Sequence, residues 1–111
     1  TIGNKKFSTI ICENYYEIIK EIGTAIFLLR GIKFINKNAH KELIDDLSKL
    51  LGLDSATVSF LQDLRTRRNG SMYYGQPFNE SYLENHLNKI LDIIKKLDSY
   101  LDKELKKENE K

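Results

Sequence analysis

Apolar residues recur at steps of three and four along almost the whole of this 111-residue chain, and one proline, Pro77, interrupts it. That spacing puts side chains on one face of a helix, whereas a half-buried strand needs strict alternation, and little alternation is visible here. Ile11, Tyr15, Ile18, Ile22, Ala25 and Leu29 form one such stripe, with Gly31 as its stop. Asn38 is placed to cap a second helix whose face is Leu43, Leu47, Leu50 and Leu51 and whose end is Gly52. Asp54 caps a third, which breaks at Gly75-Gln76-Pro77. Ser81 and Glu84 have the spacing of a capping box for the last helix. Its stripe runs Leu83, Leu87, Ile90, Ile94, Leu97, Leu101 and Leu105. The charged tail from Asp102 onward, residues 106–111 above all, is expected to fray. The fold class is therefore all-α: an up-and-down bundle of four principal helices in one domain spanning 1–111, with sequential helices packed antiparallel across short links.

Composition sets outer bounds on function. No apolar run approaches the roughly 20 residues of a membrane span, so no membrane association is expected. Cys12 is the single cysteine, which rules out an internal disulfide and fits a cytoplasmic protein. His40 and His86 show no ligand spacing, so neither a metal nor another cofactor is expected. A net charge of +2 says little about partners by itself. Apolar breadth says more: Leu91 and Ile93 widen the last stripe, and Ile10, Ile19, Ile26, Phe27 and Leu28 widen the first. Such breadth points to a homodimer.

Charge is concentrated in one place. Residues 64–75 carry three of the four arginines, Arg65, Arg67 and Arg68, and no acid, in a chain that otherwise uses lysine. Guanidinium is the flat, forked cation that grips phosphate or carboxylate in two places. Arg68 falls on the apolar line of Val58, Leu61 and Leu64, where an unpaired charge costs several kcal/mol, so it is expected to face a cleft or a partner subunit. Arg67 points away and is spaced to pair with Asp63. Arg65, Arg67 and Arg68 with Tyr73 and Tyr74 supply phosphate contacts and stacking surfaces for single-stranded RNA or a nucleotide.

In this segment Arg68-Asn69-x-x-x-Tyr73 resembles the signature of the HEPN family, an arginine, four to six residues, then a histidine, often with asparagine after the arginine. The run Leu28-Leu29-Arg30-Gly31-Ile32-Lys33, then Asn38-Ala39-His40-Lys41-Glu42-Leu43-Ile44, is similar to the approach to that motif, and Tyr74-Gly75 to its exit. The likeness covers roughly residues 8–105. It implies a helical domain that dimerises with its two arginine motifs face to face. Many members are metal-independent endoribonucleases of toxin–antitoxin type, which makes Arg68, Asn69 and Tyr73 the candidate catalytic residues, while Arg65, Arg67 and Tyr74 remain the candidate binding residues by their own chemistry. The alternative within the same resemblance is a non-catalytic interaction module that binds a nucleotidyltransferase partner.

The histidine position holds Tyr73, and Gly75 stands where a subset of the family has a second tyrosine, with Tyr74 one step early. A free phenol titrates near pH 10, so tyrosine is a poor base at neutral pH. His40 is expected to make local hydrogen bonds, and His86 to be a partly buried structural residue. Either could serve as base only if the fold carried it to Arg68.

Overall fold

The computed structural model describes residues 2–35 and 38–109. Four helices make up the fold: α1 (Ile2–Leu29), α2 (Ala39–Leu51), α3 (Ser55–Tyr74) and α4 (Glu80–Asn109), with no strand among the described residues. None of them is long and apolar enough to cross a membrane.

Helix ends follow local chemistry. Past α1, Gly31 turns to φ +76°, and the N–H groups of Gly31 and Ile32 reach back to the carbonyls of Leu28 and Phe27 at 3.0 and 2.9 Å. Gly52 and Gly75 close α2 and α3 with the same left-handed backbone. The Asp54 carboxylate accepts the Thr57 N–H at 2.7 Å and so starts α3. Helix α4 begins before the expected Ser81–Glu84 box. Asn79 takes the capping role, its side chain accepting from Ser81 N–H at 3.3 Å. Asn is as good a cap as Ser, and the chain ahead of it is already fixed: Phe78 is buried and donates its N–H to Thr9 Oγ1 at 2.8 Å. At the other end, the tail expected to fray stays helical through Asn109. Asp102–Lys106 and Glu104–Lys107 ion pairs run along it, and residues 110–111 lie outside the described region.

The inward face of α1 also differs from the expected stripe. Cys12, Tyr16, Ile19, Ile26 and Phe27 are the buried residues, while Tyr15 and Ile22 pack at the margin and Ile18 is 40% exposed. So many apolar residues surround this helix that periodicity alone does not choose among faces; tertiary packing does. Leu43, Ile44 and Leu47 of α2, Phe60, Leu61 and Leu64 of α3, and Ile90, Ile93 and Leu97 of α4 complete the core.

Directions follow from contacts at each end. Helices α1 and α4 run the same way: Thr9 meets Phe78 at one end, and Arg30 donates to the Tyr100 hydroxyl at 2.6 Å at the other. Helix α3 runs against α2, joined where Gln62 donates to Asp45 Oδ1 at 2.9 Å. The simple up-and-down order fails between α1 and α2. The His40 ring lies 6.3 Å from that of Tyr16, and Leu43 and Leu47 crowd Gly23, so α2 climbs in the same sense as α1. The connector after α1 is long enough to bring the chain back down first. One consequence governs the site: the first turn of α2 lies beside the arginine segment of α3.

Candidate functional site

Steps of four along α3 put Arg65, Asn69 and Tyr73 on one line. With Asn38, Ala39, His40 and Lys41 from the start of α2 they line a groove of about 420 Å³. A chain of hydrogen bonds sets its floor. Arg65 Nε donates to Gln62 Oε1 at 2.8 Å, and Gln62 Nε2 donates in turn to Asp45 Oδ1 at 2.9 Å and to the Lys41 carbonyl at 3.3 Å. The Tyr73 side chain is 69% exposed at the rim. Tyr74 is 79% exposed at the end of α3 and does not line the groove.

Arg68 departs from expectation. It lies on the core face as its register requires, is 6% exposed and does not line this groove. Its Nη2 makes a short ion pair with Glu17 of α1, its Nη1 donates to Asn69 Oδ1 at 3.4 Å, and the guanidinium sits 5.4 Å from the Tyr16 ring centre. The partner that makes a buried cation tolerable is thus on the same chain, 51 residues away, where no helical spacing could reveal it. Burial raises the Glu17 carboxyl, but Lys20 at 2.7 Å and Arg68 outweigh it and hold the group below its ordinary range. Within this cluster Arg68 Nε is buried without a hydrogen-bond partner. Arg68 therefore ties Asn69, Tyr16 and Glu17 together behind the groove.

Arg67 behaves as its spacing implies. It bonds Asp63 at 2.8 Å and lies 4.7 Å from the Tyr82 ring centre, on the flank of α3 away from the groove. Its sequence neighbours make it look like part of one basic patch; a rotation of 100° per residue separates it from the rest.

The residue that sequence reasoning undervalued is His40. The fold carries it to the arginine segment, where it lines the groove and faces Tyr16. Burial first, then Lys20 and Arg68, push its imidazole below the ordinary value, with Glu17 opposing. The ring is accordingly neutral near pH 7 and able to accept a proton. Burial pushes the neighbouring Tyr16 phenol up to about 12, so it stays protonated. Cys12, buried and raised to about 11, is chemically quiet. His86, by contrast, packs 4.5 Å from the Tyr82 ring and 5.1 Å from Phe60, the structural role expected of it.

The groove thus offers Arg65 and Lys41 as cations, an amide at Asn69, a phenol at Tyr73 and a neutral imidazole at His40. The first turn of α2 adds the positive end of a helix dipole. This is a donor-rich surface suited to a phosphate-bearing ligand. No protein-family model, curated protein or solved structure matches the chain.

Proposed function

We propose that this chain is a HEPN-like domain that engages single-stranded RNA through the groove between α2 and α3. The observation that carries the reading is the convergence of Arg65, Asn69 and Tyr73 with His40 and Lys41 on one groove. Arg65 and Lys41 contact the phosphate, Asn69 bonds phosphate or a 2′-hydroxyl, and the exposed Tyr73 ring stacks on a base. Arg68 is a positioning residue here, since its guanidinium is spent on Glu17 and Asn69. Metal-free cleavage requires a base for the 2′-hydroxyl proton. His40 meets that need in place of the histidine that the motif lacks.

The burial of Arg68 favours a second reading, the non-catalytic interaction module. A motif arginine locked to Glu17 does not reach a scissile phosphate, and the domain then binds a protein partner such as a nucleotidyltransferase. Incubating purified protein with labelled single-stranded RNA in chelator separates the two. Arg65→Ala is expected to weaken RNA binding on the order of tenfold with the fold intact. Cleavage that persists in chelator and disappears in His40→Asn supports the nuclease. RNA bound but intact in every lane leaves a binding domain, and RNA that does not bind at all contradicts the proposal.

A homodimer belongs to the same proposal. Ile18 of α1 and Leu91 of α4, 40% and 44% exposed on neighbouring helices, give it an apolar contact. Contact there does not require the two arginine motifs to meet. A Leu91→Glu variant that sediments as a monomer supports this contact; a wild type that is already monomeric refutes it.

A further inference from the structure

A second groove of about 400 Å³ adjoins the first, and Ala39 and His40 line both. Its character is different. Leu28 from the end of α1, Ile32 and Phe34 from the connector, and Leu43 from α2 make an apolar wall, with Lys20 and Lys33 beside it. The Phe34 ring is held edge-on against Phe27, centres 5.2 Å apart, so this surface is already formed without a ligand. Leu28 and Ile32 remain 47% and 44% exposed. An apolar slot and a cationic slot thus meet at one shared wall.

Resting on the RNA reading above, we propose that the two grooves together take a single nucleotide of the RNA strand, its base in the apolar groove and its phosphate in the polar one. A nucleotide has this division of chemistry: a flat apolar ring, then a sugar, then an anion. Base faces pack on aromatic and aliphatic walls without regard to sequence. The phosphate meets Arg65, Lys41 and the start of α2, and Lys20 and Lys33 keep the apolar side electropositive. Of the carboxylates nearby, Glu17 is neutralised by Lys20 and Arg68, and Asp45 lies in the floor, where it accepts from Gln62. His40, common to both grooves, then lies beside the ribose, where a neutral imidazole reaches the 2′-hydroxyl. The occupant of the apolar groove is therefore a nucleobase attached to the phosphate next door.

Calorimetric titration of the full chain with a nucleoside 3′-monophosphate, beside inorganic phosphate and a labelled RNA oligomer, tests this. The nucleotide is expected to bind at least about tenfold more tightly than phosphate. Leu28→Glu, which puts a charge at an exposed position in the apolar wall, is expected to erase that preference while leaving phosphate binding intact. Arg65→Ala is expected to weaken both ligands. Equal affinity for nucleotide and phosphate, or a preference that survives Leu28→Glu, overturns the two-groove assignment even if the RNA oligomer binds. Failure of the oligomer itself to bind overturns the RNA reading as well, so the two failures are told apart.

Discussion

The two flanks of α3 are built from the same four kinds of group, an arginine, a carboxylate, a tyrosine and a histidine, and put them to different use. On one, Arg67 pairs with Asp63 and lies over Tyr82, against which His86 packs. On the other, Arg68 pairs with Glu17 and lies over Tyr16, against which His40 packs. In the first set the ion pair is local: Asp63 and Arg67 are four residues apart on α3, both half-exposed, and Phe60 fills the space beside the histidine. The second joins three helices, buries its arginine and leaves its histidine at an open groove. Composition does not separate a surface staple from a site. Burial and what lies beside the histidine do.

Removing each carboxylate should expose the difference most strongly. Glu17→Ala leaves Arg68 as an uncompensated buried charge and is expected to cost about 3 kcal/mol in urea unfolding. A loss comparable to that of an exposed pair would mean that Arg68 finds water or another acceptor, and the buried flank would not be the stronger one.

Acid should unsettle the groove flank in two stages. His40 and Glu17 both bind protons more weakly in the folded chain than at their ordinary values of 6.5 and 4.5. The unfolded chain therefore takes up protons first, and stability rises with pH through both ranges. It should be full above about pH 6.5, begin to fall below it as the unfolded imidazole protonates, and fall again below about pH 4.5. Urea midpoints at pH 7.5 and 5.5 check the first stage, which His40→Asn should flatten. An unchanged slope in that variant would assign the acid loss elsewhere.

The smallest effect belongs to the local flank. Asp63→Ala is expected to change stability by no more than about 1 kcal/mol, since exposed i,i+4 pairs are worth little. A loss as large as that of Glu17→Ala would erase the contrast between the flanks.

How far the sequence could be read follows the same division between local and distant. Helix number, the Asp54 cap, the glycine stops and the Asp63–Arg67 pair are set by residues within a turn or two of one another, and all are legible. So is the core-facing register of Arg68. Which arc of α1 turns inward is not, because Ile and Leu occupy several arcs and only the neighbouring helices choose. The sense of α2 depends on how the connector returns, which leaves no periodic trace. Glu17 and His40 are the hardest: each meets the arginine segment only through the tertiary fold, and neither has a spacing that marks it. The Ser81 box shows a smaller failure, two good caps two residues apart with Phe78 deciding between them.

The central claim is that the groove flank, and not the other, holds RNA. Fluorescence anisotropy of a labelled single-stranded RNA at fixed low salt, comparing Arg65→Ala with Arg67→Ala, tests it most directly. Both variants remove one positive charge, from positions two residues apart on the same helix, so a general electrostatic loss is common to both. The expected result is a loss on the order of tenfold for Arg65→Ala and less than about twofold for Arg67→Ala. Equal losses, or no loss in either, would contradict the assignment of the groove.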